Sequence, residues 1–140
     1  MSKKKKLPKK YTEFGVISLV LLSLLLWETP FIYPIKLFIV IIHEINHAIM
    51  TIITGGSVKS IRFTFDLSGT TITNGGNLIL IAAAGYIGSL LIGTLLYLSA
   101  INLVLRKWLT IGLAIIIFII AVILIEGGLQ IFLTILIALF

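Results

Sequence analysis

A chain of 140 residues that is 59% hydrophobic and only 11% charged, with a mean hydropathy of +1.22, lies far from the balance of a water-soluble domain and reads as an integral membrane protein. It has no cysteine, which excludes a disulfide framework, a thiolate nucleophile and a cysteine zinc site, and leaves histidine and carboxylate as the strong metal ligands. Much of the net charge of +6 comes from Lys3, Lys4, Lys5, Lys6, Lys9 and Lys10, a cluster with no aromatic residue interleaved, which argues for contact with anionic lipid of the bilayer and against a nucleic-acid partner.

The basic tail, residues 1–13, is followed by a first apolar helix over about residues 14–30. A lysine cluster beside a first span is held in the cytoplasm, so the N-terminus is expected inside and the membrane is expected to be the plasma membrane. The run ends in Trp27-Glu28-Thr29-Pro30 without the small residues of a signal-peptidase site, so it is expected to be retained as an anchor. Pro30 and Pro34 then break the chain. A second helix, 35–54, stops at Thr54-Gly55-Gly56.

Beyond it, Ile61, Phe63, Phe65 and Leu67 alternate with Arg62, Thr64 and Asp66, a period of two that predicts a strand. Ser68-Gly69 turns the chain and Thr70-Thr71-Ile72-Thr73 returns it, giving a β-hairpin over about 57–76 at the membrane surface. The hairpin is either a connector or an exposed edge that holds an extended substrate. A helix over 77–100 follows, with the small-residue pairs Ala84/Gly88 and Ser89/Gly93 expected to pack on the second helix. Further helices are predicted over 108–125, after Arg106-Lys107, and over 129–140. The fold class is therefore an all-α polytopic membrane protein of four to five transmembrane helices, in one domain over 14–140, with a short β-hairpin after the second helix.

His43-Glu44-Ile45-Asn46-His47 places both histidines of the chain four residues apart around a carboxylate. On a helix, residues i and i+4 share a face, so two imidazoles at this spacing can bind one zinc while the carboxylate between them acts on a water. The second helix spans about 28 Å at 1.5 Å per residue, with Glu44 near its midpoint, so water must reach a site at membrane depth. Ionisable residues there are costly and mark function by default.

With Thr54-Gly55-Gly56, the strand region and Ala84-Gly85-Tyr86-Ile87-Gly88-Ser89 in this order, the segment from Ile35 to Gly93 resembles the site-2 proteases, intramembrane zinc metallopeptidases, and in particular their small bacterial-type relatives. The resemblance implies His43 and His47 as zinc ligands, Glu44 as catalytic base, Zn2+ as cofactor, and hydrolysis of peptide bonds in a membrane protein substrate. Asn46 stands where the family usually has a small residue, and either bonds within the helices or contacts the substrate. The family's third ligand is an aspartate in an Asn-x-Asp-Gly-like stretch of a later helix, and no such stretch is found here. Asp66 reads as a solvated strand residue, Glu126 as an interfacial anchor or a candidate third ligand, and the family's aspartate is expected beyond Phe140 in a longer chain. Two other classes are compatible with the residues: a pseudoprotease that keeps the site without turnover, and a structural membrane protein in which these groups bond across helices.

Overall fold

The computed structural model of the protein describes residues 9–64 and 66–139, with side chains from residue 14 onward. It divides into two compact units between Ile35 and Lys36. In the first unit, α1 (Lys9–Leu25) begins inside the basic tail and ends five residues before Pro30, so it is displaced from the predicted 14–30. Its apolar part, Phe14–Leu25, is shorter than the roughly 20 residues a span requires. A single 3₁₀ turn, Pro30–Ile32, leads into α2 (Tyr33–Ile53). Pro34 sits in the first turn of α2 rather than breaking the chain, because a first-turn N–H has no helical acceptor to lose.

From Lys36 onward α2 belongs to the second unit. Leu37, Ile41, Glu44, Ile45, Ala48 and Thr51 are buried at steps of one, three and four residues, which is one helical face. Gly55 ends the helix at φ +82°, a conformation that favours glycine. The chain then forms the antiparallel strands β1 (Ser57–Phe63) and β2 (Gly69–Asn74), with Ile61 opposite Thr71 and Phe63 opposite Gly69, and a bulge at Lys59. The alternating pattern overshoots here: the strand ends at Phe63, not Leu67. Thr64 N–H donates to Ser68 O at 2.9 Å and Leu67 takes φ +65°, so the chain turns between Thr64 and Ser68. Asp66 lies in that turn, exposed and bonded by Thr64, and not in a strand. The Thr64 hydroxyl, then the Ser68 amide, hold its carboxyl below the usual range. Phe65 lies outside the described residues.

Two asparagine caps set the next helices. Asn77 accepts from the amides of Ile79 and Leu80 to start α3 (Leu78–Ser99), and its own N–H donates to Thr54 Oγ1 at 3.1 Å, tying the start of α3 to the end of α2. Asn102 does the same for α4 (Leu103–Leu124), which therefore starts five residues before the predicted 108 and takes Arg106 and Lys107 into its first turns. After α4, Ile125 bridges to Ile61 in parallel and Glu126 N–H donates to Ile61 O at 3.1 Å. Gln130 of α5 (Gly128–Leu139) reaches Phe63 O at 3.4 Å. The outer edge of β1 is thus met at Ile61 and Phe63, and among the described residues no strand pairs with the outer edge of β2.

Pro30–Ile53, Leu78–Ser99 and Leu103–Leu124 are each long and apolar enough to cross a bilayer, and Gly128–Leu139, like Phe14–Leu25, is shorter. The described residues therefore hold three such helices and two shorter apolar ones, and the predicted hairpin is present. Ile41, Ile61 and Ile117 are fully buried. In lipid such burial gains little from leaving water, so close packing and hydrogen bonds must hold the helices together.

Arg62 Nε donates to Glu126 Oε2 at 2.6 Å, and this guanidinium, with the Ser60 hydroxyl, holds the Glu126 carboxyl below its ordinary value. Both side chains are exposed, so the pair contributes little and the backbone bonds beside it carry the junction. A lowered carboxyl pKa gives stability that is present above the ordinary value of 4.5 and is lost as pH falls through the lowered one. The expected outcome is that the melting temperatures of wild type and Glu126→Gln differ by a small constant amount above pH 4.5 and converge below it. A difference that persists unchanged into stronger acid would show that the ion pair is not its source.

Candidate metal centre

The candidate site is built on the middle of α2. His43 and His47 stand one turn apart with Nε2 atoms 3.0 Å from each other and rings edge to face at 4.6 Å. Ligand atoms of His43, Glu44 and His47 all lie within 4.8 Å of one another. His47 Nδ1 is 2.6 Å from Ile81 O on α3. A carbonyl can only accept, so Nδ1 carries the hydrogen and Nε2 of the neutral ring keeps its lone pair. This is the arrangement that orients a metal-binding histidine. His43 packs edge to face against the Tyr86 ring at 4.8 Å.

The small-residue surface of α3 is what admits these rings. A Cβ added to Gly85 would lie 2.5 Å from His47 Nε2 and 2.6 Å from His43 Nε2. One turn on, a Cβ at Gly88 would fall 2.2 Å from the Asn46 side-chain carbon, so Gly88 accommodates the bulk that Asn46 brings to its position. Asn46 Nδ2 donates to Ile42 O of its own helix at 2.7 Å, which places the residue in packing. Gly88 of the Ala84/Gly88 pair thus meets α2, and Ala84 is buried. Gly93, of the other pair, has nothing near its Cβ position.

Glu44 is only 4% exposed although it carries a carboxylate. The Thr71 hydroxyl of β2 lies 2.6 Å from its Oε2 and 3.1 Å from its main-chain oxygen, and with a single proton to give it donates to the closer, carboxylate oxygen. Gly69, two residues earlier on the same strand face, abuts the other carboxylate oxygen: a Cβ there would be 2.6 Å from Oε1. Thr51 Oγ1 donates to His47 O at 2.8 Å and so serves its own helix.

Neither Asp66 nor Glu126 joins this group. Glu126 is engaged with Arg62, and Asp66 with the hairpin turn. Among the described residues the metal-capable cluster is therefore two imidazoles and one carboxylate. The donor set suits zinc, and the Nε2 separation of 3.0 Å is near the roughly 3.3 Å of two nitrogens on one tetrahedral ion. Sequence reasoning missed Thr71, Gly69 and the Ile81 carbonyl as neighbours of the motif. Period-two spacing places Gly69 and Thr71 on one face of β2, but nothing in it says that this face meets α2.

A family model described as Peptidase M50B-like matches residues 16–140, and the chain belongs to this family. No curated protein and no solved structure matches it.

Gly85→Ala and Gly93→Ala are the informative contrast on α3. Gly85→Ala must push the imidazoles apart, and is expected to destabilise by about 1–3 kcal/mol and to weaken zinc binding about tenfold or more. Gly93→Ala, with nothing within 4 Å of its Cβ position, is expected to leave both unchanged. Thermal unfolding and zinc titration in detergent check both, and equal behaviour of the two variants would contradict the packing described.

Proposed function

We propose that this M50B-like chain is an intramembrane zinc metalloendopeptidase that hydrolyses peptide bonds of membrane-embedded or membrane-associated proteins. The observation that carries the reading is the convergence of both histidine Nε2 atoms and the Glu44 carboxylate on a helix able to span the bilayer. His43 and His47 hold the ion. When bound, zinc supplies a Lewis acid that activates water near neutral pH and polarises a carbonyl.

The chain's own residues do the rest. Glu44 accepts the proton of the water that adds to the scissile carbonyl carbon, and passes it to the amide nitrogen as the C–N bond breaks, leaving a carboxyl and an amine terminus. His47 keeps its ring orientation through Ile81 O, so its Nε2 faces the same point throughout. A peptide bond inside a helix is shielded by its neighbours, so the substrate must be extended where it is cut. The outer edge of β2 supports that, because Gly69 and Thr71 of this strand already stand beside Glu44 and the edge of β1 is met by Ile125. In this reading the third ligand comes from outside the three-residue cluster. The lysine tail keeps the N-terminus on the cytoplasmic side of the plasma membrane.

The test compares wild type, His43→Ala and Glu44→Gln, purified in detergent and reconstituted with single-span membrane proteins. Wild type is expected to carry about one zinc per chain and to cleave, His43→Ala to lose both, and Glu44→Gln to keep zinc while cleavage falls by about a hundredfold or more. Zinc bound without turnover in wild type would make the protein a non-catalytic relative. No zinc at all would leave the cluster as a structural contact between helices.

A further inference from the structure

The hairpin does more than neighbour the site, because one of its side chains holds the residue proposed as base. Glu44 is almost fully buried, yet its carboxylate is met by two residues of one face of β2. Thr71 Oγ1 stands 2.6 Å from Oε2 and Gly69 crowds Oε1. The strand cannot easily slide away. β1 pairs Ile61 with Thr71, and the opposite edge of Ile61 is held by the Ile125 bridge and the Glu126 amide. The backbone from the α4 end through β1 to Thr71 therefore fixes where the hydroxyl stands.

A glutamate side chain has three rotatable torsions and a terminal carboxylate that turns broadly about the last of them. On α2 alone nothing would select the rotamer in which the carboxylate stands by the two imidazoles. We infer that Thr71 is a positioning residue for Glu44: its hydroxyl donates to Oε2 and fixes the carboxylate beside the histidine pair, and is itself in contact with neither the reacting atoms nor the metal. This rests on the metallopeptidase reading for its consequence in turnover. The contact itself does not.

The experiment uses the full chain with Thr71→Val, which keeps the shape and removes the donor, and Thr71→Ser, which keeps the donor. Its first arm needs no substrate. In metal-free detergent samples, Thr71→Val is expected to lower the melting temperature by a few degrees when Glu44 is present, and by less than half as much in a Glu44→Ala background. Equal shifts in the two backgrounds would overturn the proposal, because a hydroxyl that only packs is indifferent to Glu44. The second arm uses a reconstituted single-span protein that wild type cleaves. Thr71→Val is expected to lower kcat by about tenfold or more with KM and zinc content unchanged, and Thr71→Ser to restore kcat. Unchanged kcat, or loss of zinc along with activity, would overturn the positioning role. Should wild type bind zinc and cleave nothing, the metallopeptidase reading fails, and the first arm alone decides whether Thr71 holds Glu44. If Thr71→Val does not fold, Thr71→Cys, a weak donor, is expected to change both readouts in the same direction.

Discussion

A buried carboxylate is the constraint around which the second unit is arranged. Burying an ionisable group costs several kcal/mol unless hydrogen bonds compensate for the lost water, and Glu44 is 4% exposed near the middle of a helix long and apolar enough to cross a bilayer. The helix cannot satisfy it, because its backbone donors are already used. A second element must approach with a donor of its own, and the hairpin does so through Thr71. The hairpin itself has exposed strand edges, which are costly in or near lipid. One of them is closed by Ile125 and the Glu126 amide. The position of the segment after α4 thus follows, two steps removed, from the need to meet one carboxylate.

The histidines pose the opposite problem. They need a wall that comes close without filling the space at their nitrogens. α3 supplies it with a carbonyl at Ile81 that fixes the His47 tautomer and a missing side chain at Gly85 that lets the helix backbone come up to both imidazoles without a clash. Four residues separate Ile81 from Gly85 and three more reach Gly88, so one face of α3 serves His47, the histidine pair and Asn46 in turn. In lipid, where close packing replaces the hydrophobic drive between helices, the same small residues that let the backbones approach also make room for the site. Packing and chemistry use one set of positions, which is why Asn46 on α2 is matched by Gly88 on α3.

The motif, the membrane class and the hairpin follow from local rules. His43, Glu44 and His47 fall on one side of a helix because 3.6 residues make a turn, and the apolar runs are too long for a soluble core. Asparagine caps and glycine stops also act locally: the Asn102 cap, and not the charges of Arg106 and Lys107, sets the start of α4. The alternation through Leu67 overran the strand because periodicity counts side chains. It cannot register that Thr64 and Ser68 close a turn through their backbone.

Which surfaces meet lies beyond such rules, since a contact between residues distant in the chain depends on register and approach, and neither is written in a neighbourhood of a few residues. Thr71 looks like any strand threonine until β2 is laid against α2, and the Ile81 carbonyl has no side-chain signature at all. Glu126 carried the chemistry of a ligand in its residue type, but the fold brings Arg62 to it and leaves it outside the histidine cluster. Residue type and spacing state what chemistry α2 can carry. The packing of the hairpin and α3 on that helix selects the rotamers and the tautomer with which it could be carried out, because those are set by atoms that only the folded chain brings within reach.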